Sequence, residues 1–129
     1  MRAERANKTA WVAENDSDML NLLIYTLRRL GFEVESFADG RALVERIEAM
    51  GPGGDAPALF VTDHHMPYVH GLDIIALLRA EHVDVKIVVV TAFGDDDLIS
   101  RAERLGVEAV LNKPFDLTEL EAAITRATG

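Results

Sequence analysis

The chain has 129 residues, 49% of them hydrophobic and 27% charged, which predicts one globular domain with one core and excludes a disordered profile. Thirteen Lys and Arg against 22 Asp and Glu leave a formal charge of −9, which repels phosphate backbones and argues against direct nucleic-acid binding by this chain. Without cysteine there is no disulfide framework, zinc-thiolate site or thiol catalysis, and no apolar run is long enough for a bilayer or a signal peptide, so an acidic cytoplasmic domain is expected.

Residues 1–8 read as a tail and 9–127 as the domain. Thr9 to Ala13 is an apolar run that stops at the polar Glu14-Asn15-Asp16-Ser17-Asp18. Met19, Leu20, Leu23, Leu27 and Leu30 then recur at helical spacing, and Gly31 ends that helix. Glu33 to Phe37 reads as a short strand, followed by a helix from about Asp39 to Met50. Gly51 to Pro57 is loop by composition; it leads from a helix into a strand, the wrong polarity for a phosphate-cradling loop.

Leu59 to Thr62 is a buried strand that ends on Asp63, and the loop His64 to His70 opens a helix from about Leu72 to Glu81. Lys86 to Thr91 is a strand of nearly continuous Ile and Val. Asp95 to Leu105 reads as a helix with acidic residues at its start and Gly106 at its end. Val107 to Leu111 is the fifth strand, and Asp116 to Thr125 the last helix, where Asp116 and Glu119 form a capping-box pattern.

Five βα units with non-alternating strands predict an α/β fold: a doubly wound parallel five-stranded sheet with helices on both faces. In such sheets ligands gather beyond the carboxyl ends of the strands. Those ends here carry Glu14-Asn15-Asp16, Asp63, Thr91 and Asn112-Lys113-Pro114. Clustered carboxylates favour a hard divalent cation, with Mg²⁺ the candidate. A carboxylate beside such an ion can attack a phosphoryl group, whose spread charge an ammonium and a hydroxyl neutralise. Asp63 is the candidate nucleophile, Glu14 a candidate metal ligand, and Lys113 and Thr91 candidate phosphoryl ligands. A cis bond at Lys113–Pro114 is left open.

Val12-Ala13-Glu14-Asn15-Asp16, Phe60-Val61-Thr62-Asp63-His64-His65-Met66-Pro67, Gly71-Leu72, Val90-Thr91-Ala92 and Asn112-Lys113-Pro114-Phe115 together resemble the receiver domain of two-component response regulators. The resemblance spans about Thr9 to Ala127 and implies a flavodoxin-like strand order 2-1-3-4-5. It implies that Asp63 accepts a phosphoryl group from a sensor histidine kinase or a histidine phosphotransfer protein, in a phosphorelay that ends on an output domain or protein. Thr91 matches the switch hydroxyl and Lys113 the conserved lysine of that pattern. Glu14 and Asn15 match its acidic pair, and His65 the position whose backbone carbonyl meets Mg²⁺. By the same resemblance the chain catalyses only its own phosphorylation and slow dephosphorylation. Phosphorylation is expected to repack the face of the fourth helix, fifth strand and fifth helix, on or near which Leu98, Arg101, Ala102 and Leu105 are candidate contacts, and homodimerisation through that face is expected from the family.

Two positions depart from the pattern. Asn15 stands in place of a metal-ligating acid, so weaker Mg²⁺ binding is expected unless Asp16 or Asp18 compensates or Asn15 merely caps the helix. Val110 stands where an aromatic switch residue is common. Together they motivate a competing reading, a degenerate receiver that binds partners without phosphorylation. A phosphatase would need a second acid at the position of His65, and a flavin protein a Ser/Thr/Gly-rich loop in place of Glu14-Asn15-Asp16. His64, His65 and His70 read first as solvated loop side chains. Two other readings stay open: His65 tuning dephosphorylation, and a metal- or pH-sensing cluster. Trp11 is expected in the core; Phe93 and Phe115 flank the switch surface.

Overall fold

A computed structural model describes residues 8–51, 54–92 and 94–129. The tail expected at residues 1–8 therefore lies, Lys8 apart, outside the described residues, as does Phe93. Five strands alternate with five helices: β1 (Thr9–Ala13), α1 (Ser17–Arg29), β2 (Glu33–Phe37), α2 (Gly40–Met50), β3 (Leu59–Asp63), α3 (Gly71–Ala80), β4 (Lys86–Thr91), α4 (Asp96–Arg104), β5 (Ala109–Asn112) and α5 (Leu117–Thr128). The strands form one parallel sheet in the order β2-β1-β3-β4-β5.

The apolar runs became strands buried on both faces because each side chain has a helix over it. Trp11, Ala13, Phe60, Ile87 and Val89 face one way, onto Leu43, Ile47, Ile75, Leu78 and Ala102 of α2, α3 and α4. Ala10, Val12, Val61, Val88 and Val90 face the other, onto Leu23, Leu27, Leu120 and Ile124 of α1 and α5. The single core expected from length is thus divided by the sheet into two layers. Trp11 is 3% exposed, as its place in β1 predicts, and meets Phe37 edge-on with ring centroids 5.8 Å apart.

Helix starts follow from side chains that compete for the first-turn N–H groups. The Asp116–Glu119 capping box is complete, with bonds of 2.8 and 3.1 Å. Gly31, Gly51 and Gly106 adopt positive φ beyond the ends of α1, α2 and α4. The strand expected from Val107 begins only at Ala109: Val107 N–H bonds back to Ala102 in the closing turn of α4. Its apolar side chain packs from that turn, and burial without extended backbone lengthened the apparent run.

At the opposite end from the strand carboxyl termini, Arg79 of α3 ties three segments together. Its guanidinium donates to the carbonyls of Leu105, Val83, Val85 and Gly106 at 2.8, 3.5, 3.1 and 3.2 Å.

Candidate functional site

Four strands deliver the predicted residues to one edge of the sheet. Glu14 follows β1 directly, its N–H bonded to Phe37 at the end of β2, and it is buried. Asp63 is the last residue of β3 and 4% exposed. Thr91, fully buried, ends β4 one residue beyond Val90, the register partner of Asp63. Thr91 pairs with Asn112, and its carbonyl accepts the Lys113 N–H at 2.8 Å. The Lys113–Pro114 peptide is cis.

Lys113 is the hub. Its Nζ lies 2.9 Å from Glu14 Oε1 and 3.5 Å from Asp63 Oδ2, so one ammonium spans both carboxylates. Glu14 Oε2 accepts the Asp16 N–H at 3.0 Å and Asp63 Oδ1 the His65 N–H at 3.2 Å. Burial pushes the Glu14 carboxyl above its usual range, against the lowering effect of the Lys113 and Asp16 bonds, and the charge of Asp63 adds to the rise.

Asn15 is exposed and does not cap α1. That task falls to Asp16, whose Oδ2 accepts the Met19 N–H at 3.0 Å. The Glu14 and Asp63 carboxylates meet on one ammonium at this edge, with Asn15 next to Glu14 and His65 two residues after Asp63 in the chain. Among the described residues, no three His, Cys, Asp or Glu side chains gather closely enough to enclose a cation by themselves.

The solvated-loop reading fails for His64, which is 9% exposed. Its ring packs against those of His65 and His70 at 4.9 and 4.8 Å between centroids. Burial, reinforced by the neighbouring imidazoles, lowers its pKa and keeps it neutral. Nδ1 accepts the Leu72 N–H at 3.2 Å, so the proton resides on Nε2. His65 and His70 are exposed, as expected of loop residues. The loop is tight: a Cβ on Gly71 would overlap the Asp63 carbonyl oxygen, and Tyr68 takes φ +76° with the Arg41 guanidinium 4.2 Å over its ring.

Asn112, named in the sequence only as part of the strand-five end, has a bond the sequence reading did not assign it. Asn112 Oδ1 accepts the Gly94 N–H at 3.2 Å, which ties the segment after Thr91 to the end of β5. Val110 is half-buried against the α2–α3–α4 layer, where it contributes packing without a ring.

Residues 10–125 match the family model of the response regulator receiver domain. The chain belongs to this family. The transcriptional regulator NtrC of Azospirillum brasilense is 34% identical over 92% of this receiver domain and 24% of its own length. The regulatory protein PdtaR of Mycobacterium tuberculosis H37Rv is 34% identical over 90% of this chain and 54% of its own. The receiver domain thus spans between about a quarter and about half of such curated relatives. The crystal structure of a receiver domain from Vibrio parahaemolyticus superposes with a TM-score of 0.83 at 19% identity, covering 95% of this chain and 91% of that one. That likeness concerns the fold. No helix among the described residues is long and apolar enough to cross a membrane.

Proposed function

We propose that this receiver domain accepts a phosphoryl group on Asp63 from a phosphohistidine of a sensor histidine kinase or histidine phosphotransfer protein. In the transfer an Asp63 carboxylate oxygen forms the new O–P bond while the P–N bond breaks and its electron pair stays on the histidine. The observation that carries the reading is the ammonium of Lys113 set between two buried carboxylates at the carboxyl edge of a parallel sheet. A lysine so placed can exchange Asp63 for the arriving phosphoryl oxygens while Glu14 still accepts from its ammonium.

The donor set fits Mg²⁺, which uses one or two carboxylates, keeps several waters and takes phosphate oxygens as further ligands. Glu14, Asn15, Asp63 and the His65 carbonyl are the residues that would hold it. When bound it supplies charge neutralisation at the phosphoryl oxygens. Thr91, at the end of β4, is the hydroxyl placed to meet them, and its movement together with the Asn112-tethered segment would alter the face made by α4, β5 and α5. That face is the proposed contact for an output domain, an output protein or a second copy, and the proposed compartment is the cytoplasm.

Acetyl phosphate with and without Mg²⁺, read by intact mass, tests the reading. One phosphoryl adduct is expected on the unaltered protein with metal, and none on Asp63→Asn. A folded protein that takes up no adduct from acetyl phosphate or from a kinase would leave the phosphorylation-independent interaction module as the better account. Asn15→Asp restores one formal charge to the donor set. It is expected to lower the Mg²⁺ concentration for half-maximal phosphorylation about tenfold; an unchanged concentration would remove Asn15 from the metal site.

A further inference from the structure

Four of the five helices begin on an aspartate whose carboxylate accepts a first-turn N–H: Asp16 from Met19, Asp39 from Ala42, Asp95 from Leu98 and Asp116 from Glu119. The exception is α3, the helix that follows the proposed phosphorylation site. Its N-cap residue, His70, makes no side-chain cap bond. The work is done from eight residues away. The His64 carbonyl accepts the Gly71 N–H at 2.9 Å and His64 Nδ1 accepts the Leu72 N–H at 3.2 Å. One residue, adjacent to Asp63, thus satisfies the first two N–H groups of α3.

We infer that His64 is a positioning residue: a long-range N-cap that clamps the 64–71 loop to the end of β3 and so sets Asp63 and the His65 carbonyl for a divalent cation. This rests on the function proposed above. The side chain suits the task on two counts. Nδ1 stands as many bonds from Cα as the carboxylate oxygen of an aspartate, so it reproduces the reach of an ordinary cap. A neutral imidazole also brings no further negative charge to the buried neighbourhood of Glu14 and Asp63, where a carboxylate would. The rings of His65 and His70 pack against it, edge-on at 71° and tilted at 60°.

Two substitutions separate the hydrogen bond from the packing. His64→Phe keeps a ring and removes the acceptor; His64→Asn restores an acceptor at the same bond distance and removes the ring. Two NMR readouts serve both: hydrogen exchange of the Leu72 amide, and Mg²⁺ titration followed on the amides of Glu14, Asp63 and His65. In His64→Phe, Leu72 exchange should accelerate about fivefold and the Mg²⁺ dissociation constant should rise by a similar factor, the ratio that one lost cap carries. In His64→Asn both should return to within about twofold of the unaltered protein. Unchanged Leu72 exchange in His64→Phe would overturn the cap. An Asn variant that behaves like the Phe variant would overturn the acceptor's role in favour of ring packing. Faster exchange with an unchanged Mg²⁺ constant, or no Mg²⁺ response in the unaltered protein, would overturn the positioning role. Because neither readout needs phosphorylation, a protein that binds Mg²⁺ but accepts no phosphoryl group would count against the proposed function and leave this inference standing.

Discussion

Lys113→Met should cost the fold about 3 kcal/mol at neutral pH, and clearly less in mild acid. The methionine keeps the packing of the lysine stem but leaves two buried carboxylates, Glu14 and Asp63, without the ammonium that spans them. The pH dependence follows from Glu14, whose carboxyl burial already holds above its usual 4.5. The folded protein keeps that proton to higher pH than the unfolded chain does. The stability linked to it is complete below about 4.5 and is lost as pH rises through the folded value. Without Lys113 the folded value moves further up, because the hydrogen bond and the attractive charge that lowered it are both gone. The variant's deficit therefore grows from acid toward neutrality. Urea unfolding at pH 7 and about pH 5, followed by the fluorescence of the single Trp11, measures it. An equal loss at both pH values would show that the cost is packing and not charge.

Arg79→Ala should destabilise the protein by about 3 kcal/mol without touching the site. The loss is large because four carbonyls, of Val83, Val85, Leu105 and Gly106, share one charged donor. Removing it leaves three partly buried acceptors, of Val83, Val85 and Leu105, without that charged donor. Arg79→Lys should recover less than half of the loss, since a single ammonium cannot reproduce the planar fork. Urea midpoints of the two variants check this; a lysine that restored full stability would reduce the arrangement to a simple charge effect.

Much of the fold was legible because this architecture writes itself in local patterns. β1 and β4 have the predicted limits, since apolar runs on a doubly covered sheet begin and end where cover does; the mostly exposed edge strand β2 also has its predicted limits, set between Gly31 and the Asp39 cap of α2. The departures lie where burial and backbone conformation part company, as at Val107, or where a helix continues past its last obvious signal. α5 runs on to Thr128 because Ala127 still reaches the core beneath it. The residues at the strand ends were legible too, because a parallel sheet delivers each of them to one edge. What could not be read were bonds between distant positions: Lys113 as a shared partner of Glu14 and Asp63, Asn112 on Gly94, His64 on Leu72, and Arg79 on the turn at Leu105. The burial of His64 is of the same kind. Nothing in a run of polar loop residues tells that one imidazole turns inward to replace a missing cap.

The two-layer core has a bearing on how the molecule comes apart. Trp11 looks only into the layer beneath α2, α3 and α4, whereas α1 and α5 close the other. The layers share no side chain, so cooperativity between them has to pass through the hydrogen-bonded strands themselves. A truncation in the α1–α5 layer, such as Ile124→Ala, moves the Trp11 transition only insofar as the sheet transmits the loss. Coincidence of that transition with the backbone circular dichroism would then measure the sheet as a coupler: one melting unit if the strands bind the halves together, two if they do not.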